Sequence, residues 1–169
     1  MKAVLISIKP KWCELIANGK KTIEVRKSRP KIETPFKCYI YCTNSRPYLV
    51  YGDVFRGNWE TEFTTTFGYS RKEAERIWDV FNGKVIGEFV CDGIIPISIE
   101  YSNPNSRIAL KEFPYTCLTD KQIIDYLGNG KQGYGWHISD LVIYEKPKEL
   151  REFGINRAFQ SWGYVESEG

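Results

Sequence analysis

The chain reads as an α+β domain, mainly β, and three observations carry that reading. Short β-branched or aromatic runs bounded by Gly, Pro and Asn recur along it. An early helix is framed by proline at its start and Asn-Gly at its end. The 169 residues, 42% of them hydrophobic, are enough for one well-cored domain and too few for two ordinary ones.

Residues 3–8 are apolar and β-branched, which suits a buried first strand. Pro10 stands in the first helical turn, where a missing N–H costs nothing. Trp12, Leu15 and Ile16 supply that helix's apolar stripe. Gly19 accepts the left-handed conformation that closes it. Residues 21–26 follow as a short strand, with Ile23 and Val25 on one face and Thr22, Glu24 and Arg26 on the other. A loop containing Pro30 and Pro35 leads to a third strand at 36–42.

Residues 44–69 show no sustained periodicity and read as an insertion. Ser70 and Glu73 form a capping-box-like start for a short helix to Val80, ended by Asn82-Gly83. Residues 85–91 are a strong strand, and 94–101 continue it across a bend at Asp92-Gly93. Thr119 caps a helix to Leu127, closed by Gly128-Asn129-Gly130. Gly133-Tyr134-Gly135 leads into one strand over residues 136–144, which Lys146-Pro147 breaks. A helical turn at 148–153 and a closing strand at 162–165 complete the chain, and no internal repeat is visible.

Composition excludes several classes. No run of about 18 apolar residues exists, so no membrane helix is expected. The basic-then-apolar start imitates a signal peptide. Its apolar run stops at Lys9-Pro10 without a small-residue cleavage site, so a cytoplasmic protein is expected. The five cysteines are odd in number, none forms a Cys-x-x-Cys pair, and there is a single histidine. Metal-ligand spacing is therefore absent and no cofactor is expected. Free thiols in a reducing compartment fit this pattern, with Cys38 and Cys42 as small core residues on one strand face.

Net charge is +3, unevenly spread. Between Lys9 and Lys37 stand nine Lys or Arg against three acids, a local +6, so the remainder sums to −3. That is either a localised anion-binding surface or a solvated face.

The stretch Gly19-Lys20-Lys21-Thr22-Ile23-Glu24-Val25-Arg26 resembles the Gly-x-Lys-x-x-Glu-x-Arg signature of the ASCH family, a branch of the PUA-like superfamily. Residues 6–16 resemble that family's opening strand and helix, and Gly135 to Leu141 resembles a late strand facing the same cleft. The resemblance covers residues 3–43, 83–98 and 134–165. It implies one domain over residues 1–169, with insertions at about 44–82 and 99–130. The implied fold is a PUA-like closed β-barrel with an early helix and peripheral short helices. A compact protein of this kind looks like a bacterial or prophage product.

The ligand-binding candidates are Lys9, Lys21, Glu24, Arg26, Trp136, His137 and Ser139. Arg offers a planar fork to phosphate or carbonyl, and Lys a mobile point charge. Lys21 and Glu24 also admit a plain salt bridge, His137 a structural hydrogen bond, and Trp136 a place in the core. Tyr48, Tyr51, Trp59, Tyr69 and Tyr134 lie in glycine-rich loops, where aromatics stack unpaired bases or pin the loop.

Two functions follow from the resemblance. The first is binding of single-stranded RNA or a modified nucleoside at the barrel mouth. The second is hydrolysis, of acetylated cytidine or of RNA, with Lys21, Glu24, Thr22 and His137 as catalytic candidates. For the amidohydrolase, the family's lysine falls on Lys21. Its nucleophilic threonine falls on Glu24, a departure that a carboxylate cannot repair without changing the mechanism. Neither oligomeric state nor the identity of the base is encoded in these motifs.

Overall fold

Two sheets face each other across a core that includes Trp136, Ile6, Ile40 and Phe89. The structure, a computed structural model, describes residues 1–44, 82–98, 114–128 and 131–167. The expected helix at 70–80, much of both expected insertions and the loop aromatics at 48, 51, 59 and 69 lie outside the described residues.

The larger sheet contains β1 (Lys2–Ile8), β3 (Phe36–Cys42), β4 (Val85–Cys91), β7 (Ser139–Lys148) and β8 (Trp162–Glu166), in the order β7-β4-β3-β1-β8. The smaller one contains β2 (Ile23–Arg26), β5 (Ile94–Ser98) and β6 (Gln132–His137), in the order β2-β6-β5. Among the described strands only β1 and β3 run parallel, because α1 (Pro10–Ala17) and β2 carry the chain back between them. A second helix, α2 (Asp120–Leu127), lies along the smaller sheet, burying Ile123 and Leu127 against Val25 and Ile97.

Local chemistry explains these elements. Pro10 opens α1, and Gly19, at φ +75°, turns the chain out of it. Thr119 caps α2 by a full capping box: its hydroxyl accepts from Gln122 N and its own N–H donates to Gln122 Oε1 at 2.9 Å. Alternation along β1 splits its side chains between two cores. Val4, Ile6 and Ile8 join the inter-sheet cluster, while Ala3 and Leu5 pack with Tyr39, Tyr41 and Phe153 on the far face.

Two strand expectations need correction. Residues 136–144 are not one strand: Ile138 separates β6 from β7, and these belong to different sheets. The 85–101 strand likewise changes sheets at Asp92-Gly93. The two breaks lie side by side, since Val90 pairs with Ser139 before the corner and Ile94 with Trp136 after it. A long bent ribbon thus runs through both sheets, fastened at the corner by His137 N donating to Gly93 O at 2.9 Å. No strand ladder among the described residues closes these sheets into one barrel.

Candidate functional site

Where β2 and β1 are not paired, a cleft of about 620 Å³ opens between α1, β2 and α2. Helix α1 contributes Trp12, with Lys9 just before it; α2 contributes Gln122 and Tyr126. Lys21, Glu24 and Arg26 form its floor. The rim carries Lys27 and Ser28 on one side and Ser161 on another. Four cations, Lys9, Lys21, Arg26 and Lys27, thus meet one carboxylate, Glu24.

The floor is buried and densely connected. Glu24 Oε2 lies 3.2 Å from Lys21 Nζ, and its Oε1 accepts from Arg26 Nη2 at 2.9 Å. Lys21, only 2% exposed, also donates to the carbonyls of Ile23 at 2.9 Å and Thr116 at 2.6 Å. Three acceptors match the three donors of an ammonium. Arg26 Nη2 donates a second bond to Ser7 O at 2.8 Å, and Nη1 reaches Ser161 Oγ at 3.2 Å. These contacts lash the smaller sheet to β1 and to the residue preceding β8, where no ladder among the described residues does. Arg26 Nε is buried without a hydrogen-bond partner, so the guanidinium is not fully satisfied by the protein.

The buried trio carries two cations against one anion. Desolvated charge of one sign is costly unless compensated, and the arrangement is one that a bound anion would compensate. Aromatic surface stands beside it: Lys21 Nζ lies 5.4 Å from the Trp12 ring centre and Lys27 Nζ lies 5.3 Å from that of Tyr126. Burial raises the Tyr126 hydroxyl above its ordinary pKa, with Arg26 pulling the other way and Glu24 adding to the rise.

Of the sequence candidates, Lys9, Lys21, Glu24 and Arg26 come together in this cleft, and the others do not. Thr22 serves β2 through its backbone, donating to Tyr115 O and accepting from Ile138 N, and its side chain is not among the cleft's lining. Trp136 is fully buried in the core, edge-on to Phe36 at 5.9 Å. His137 sits at the ribbon's corner, its Nδ1 2.6 Å from Asp92 Oδ1, with both side chains nearly half exposed. That bond is the main reason the Asp92 carboxyl is held below its usual range. Ser139 donates to Val90 O at 2.9 Å, joining β7 to β4.

Trp12, Lys27, Gln122, Tyr126 and Ser161 line the cleft without having been singled out in the sequence. Lys27 and Trp12 had a signal, being a cation directly after the octet and an aromatic on the early helix. Gln122 and Tyr126 had half of one, since Thr119 located α2 as its cap and their spacing of four puts both on one helical face. Ser161 had none.

The ASCH domain family model matches residues 6–98. The fold is similar to the crystal structure of ASCH from Zymomonas mobilis, at 17% identity, covering 97% of this chain and 87% of that one, with a TM-score of 0.62. Two mutants of that protein compare alike. Its tyrosine-to-phenylalanine form is 16% identical, covering 98% of this chain and 91% of that one, and its serine-to-alanine form 16%, covering 97% and 88%; both have a TM-score of 0.62. At such identities the likeness concerns the fold alone. No curated protein matches the chain.

Proposed function

The chain belongs to the ASCH domain family, and from that premise we propose that it binds single-stranded RNA by taking one nucleotide or modified nucleoside into the α1–β2–α2 cleft. The observation that carries this reading is the charge and shape of the cleft. Four cations face one carboxylate beside two aromatic rings, in a volume of about 620 Å³. Pockets for small organic ligands span roughly 300–1,000 Å³. Phosphate meets Lys9, Lys27 and the Arg26 guanidinium, and a base meets Trp12 or Tyr126. Gln122 adds direction: its Oε1 is held by the helix cap, which leaves its amide N–H groups as the donors available to a base carbonyl.

The hydrolase alternative has less support. Glu24 is held between two cations, Lys21 is bonded to three acceptors, and neither Thr22 nor His137 lines the cleft. Among the described residues no helix is long and apolar enough to cross a membrane.

The test is titration of a fluorescent single-stranded RNA at two salt concentrations, with wild type and Lys9→Ala. Neutralising Z phosphates of a single strand gives a log–log salt slope of about −0.7Z. Each lost phosphate contact should flatten that slope by about 0.7. Binding that is absent at low salt, or indifferent to salt, refutes the proposal.

A further inference from the structure

We infer that the strand whose nucleotide occupies the cleft continues out of it over a second, basic surface formed by β8 and the β2–β3 loop, with Lys2, Arg29 and Lys31 meeting its flanking phosphates. This rests on the RNA-binding reading above and extends it beyond the cleft.

Two segments leave the cleft side by side. Ser28 on the rim is followed by Arg29 and Lys31; Ser161 is followed by Trp162 and Tyr164. They are tied together at two points. Trp162 Nε1 donates to Ser28 Oγ at 3.1 Å, and the Lys31 N–H donates to the Tyr164 hydroxyl at 2.8 Å. A loop fastened in this way has its backbone held in place, so less backbone ordering opposes binding there.

Lys2, on the neighbouring β1, brings its ammonium to 4.2 Å from the Tyr164 ring centre. The Lys2 ammonium and the Lys31 backbone N–H therefore meet one tyrosine from two elements. Lys2, Lys27, Arg29 and Lys31 are all exposed, and none is paired with a carboxylate among the described residues. Lys37, Lys84 and Lys121 do have such partners. Glu33 flanks the strip on the loop. At its far end Glu166 approaches the N-terminal ammonium at 3.6 Å. From Ser161 to Tyr164 the strand advances about 10 Å at roughly 3.3 Å per residue, room for the chain to proceed past the bound nucleotide. Exposed cations leading from an aromatic cleft suit a phosphate track.

The experiment compares a mononucleotide with a fluorescent single-stranded RNA oligomer several nucleotides long. It uses wild type, Lys2→Ala/Lys31→Ala and Lys9→Ala, each first shown to keep its melting temperature. The strip variant should bind the mononucleotide as wild type does. It should bind the oligomer several-fold more weakly, with a salt slope flatter by about 1.4, two contacts at about 0.7 each. Lys31→Glu should weaken the oligomer further. Oligomer binding that is sensitive to Lys9→Ala but indifferent to all strip changes overturns the track and leaves the cleft standing. An oligomer that wild type does not bind at low salt overturns both.

Discussion

Lys21 lines the cleft, and the fold already engages its ammonium. Spacing places it at the entrance of a polar strand, the natural position for a ligand-facing cation. Its burial and three internal acceptors make it a tie between β2, the turn at Thr116 and Glu24. Lys21→Ala strands two carbonyls and leaves Glu24 with one partner. Breaking a buried pair costs about 3–5 kcal/mol, and urea denaturation should read a loss of that order. Lys9→Ala, at an exposed position, should change stability by less than about 0.5 kcal/mol while weakening RNA binding. An equal loss of stability in both would place Lys9 in the fold's framework. The same geometry bears on catalysis. Wild type incubated with acetylated cytidine should release no cytidine by chromatography, because Glu24 is a carboxylate held between two cations and Thr22 does not line the cleft. Turnover abolished by Thr22→Ala would reverse this. Turnover gained only in Glu24→Thr would mark a binding pocket with an enzyme-like frame.

At the level of elements, the signals that worked were local ones. Pro10 and Gly19 bounded α1, and Thr119 and Gly128 bounded α2. The β-branched run of β1 and the Ile23/Val25 alternation were equally plain. The failure was at the corner, where the chain leaves one sheet for another without a break in its apolar pattern. Ile138 is as apolar as a strand residue, and only its pairing shows that it is a joint. Asp92 and His137 lie on that joint, so a histidine in a family-like segment turned out to fasten a bend. The bent ribbon also makes one glycine intolerant of change. A Cβ on Gly87 would stand 2.3 Å from the backbone oxygen of Val142, whereas one on Gly93 would meet nothing within 4 Å. The carbonyl belongs to the paired strand and cannot rotate away as a side chain can. Gly87→Ala should lower stability by about 1–3 kcal/mol, as overpacking does, and Gly93→Ala by under about 0.5 kcal/mol. Equal thermal shifts for the two would mean that β7 yields freely at its irregular pairing with β4.

Over the whole molecule, charge and thiols were legible as composition, but not their arrangement. The +6 segment was visible by counting. That Arg26 would reach Ser7 and Ser161 across the open side of the two sheets was not, because those contacts span 19 and 135 residues of sequence. Cys38 and Cys42 were expected to be core residues, and they share the inter-sheet cluster with Cys13 and Cys91. Their burial has a consequence at high pH. Desolvation raises the thiols of Cys13 and Cys38 well above their ordinary value and pushes Cys91 up to about 12. A thiol in the unfolded chain ionises near about 8.5, so above that pH the folded state holds protons that the unfolded state has released. Stability then falls as pH rises, because the slope follows the protons bound in the unfolded state minus those bound in the native state. The contribution is whole below the unfolded value and is lost progressively toward each folded one. The Tyr41 and Tyr126 hydroxyls, also raised by burial, act in the same direction above about pH 10. Urea midpoints measured from neutrality upward should hold nearly level and then decline above about pH 9. Cys91→Ala should start lower, through its lost packing, and decline less steeply. A midpoint level to pH 11, or a decline as steep in Cys91→Ala as in wild type, would show that the buried thiols do not set the alkaline limit of this fold.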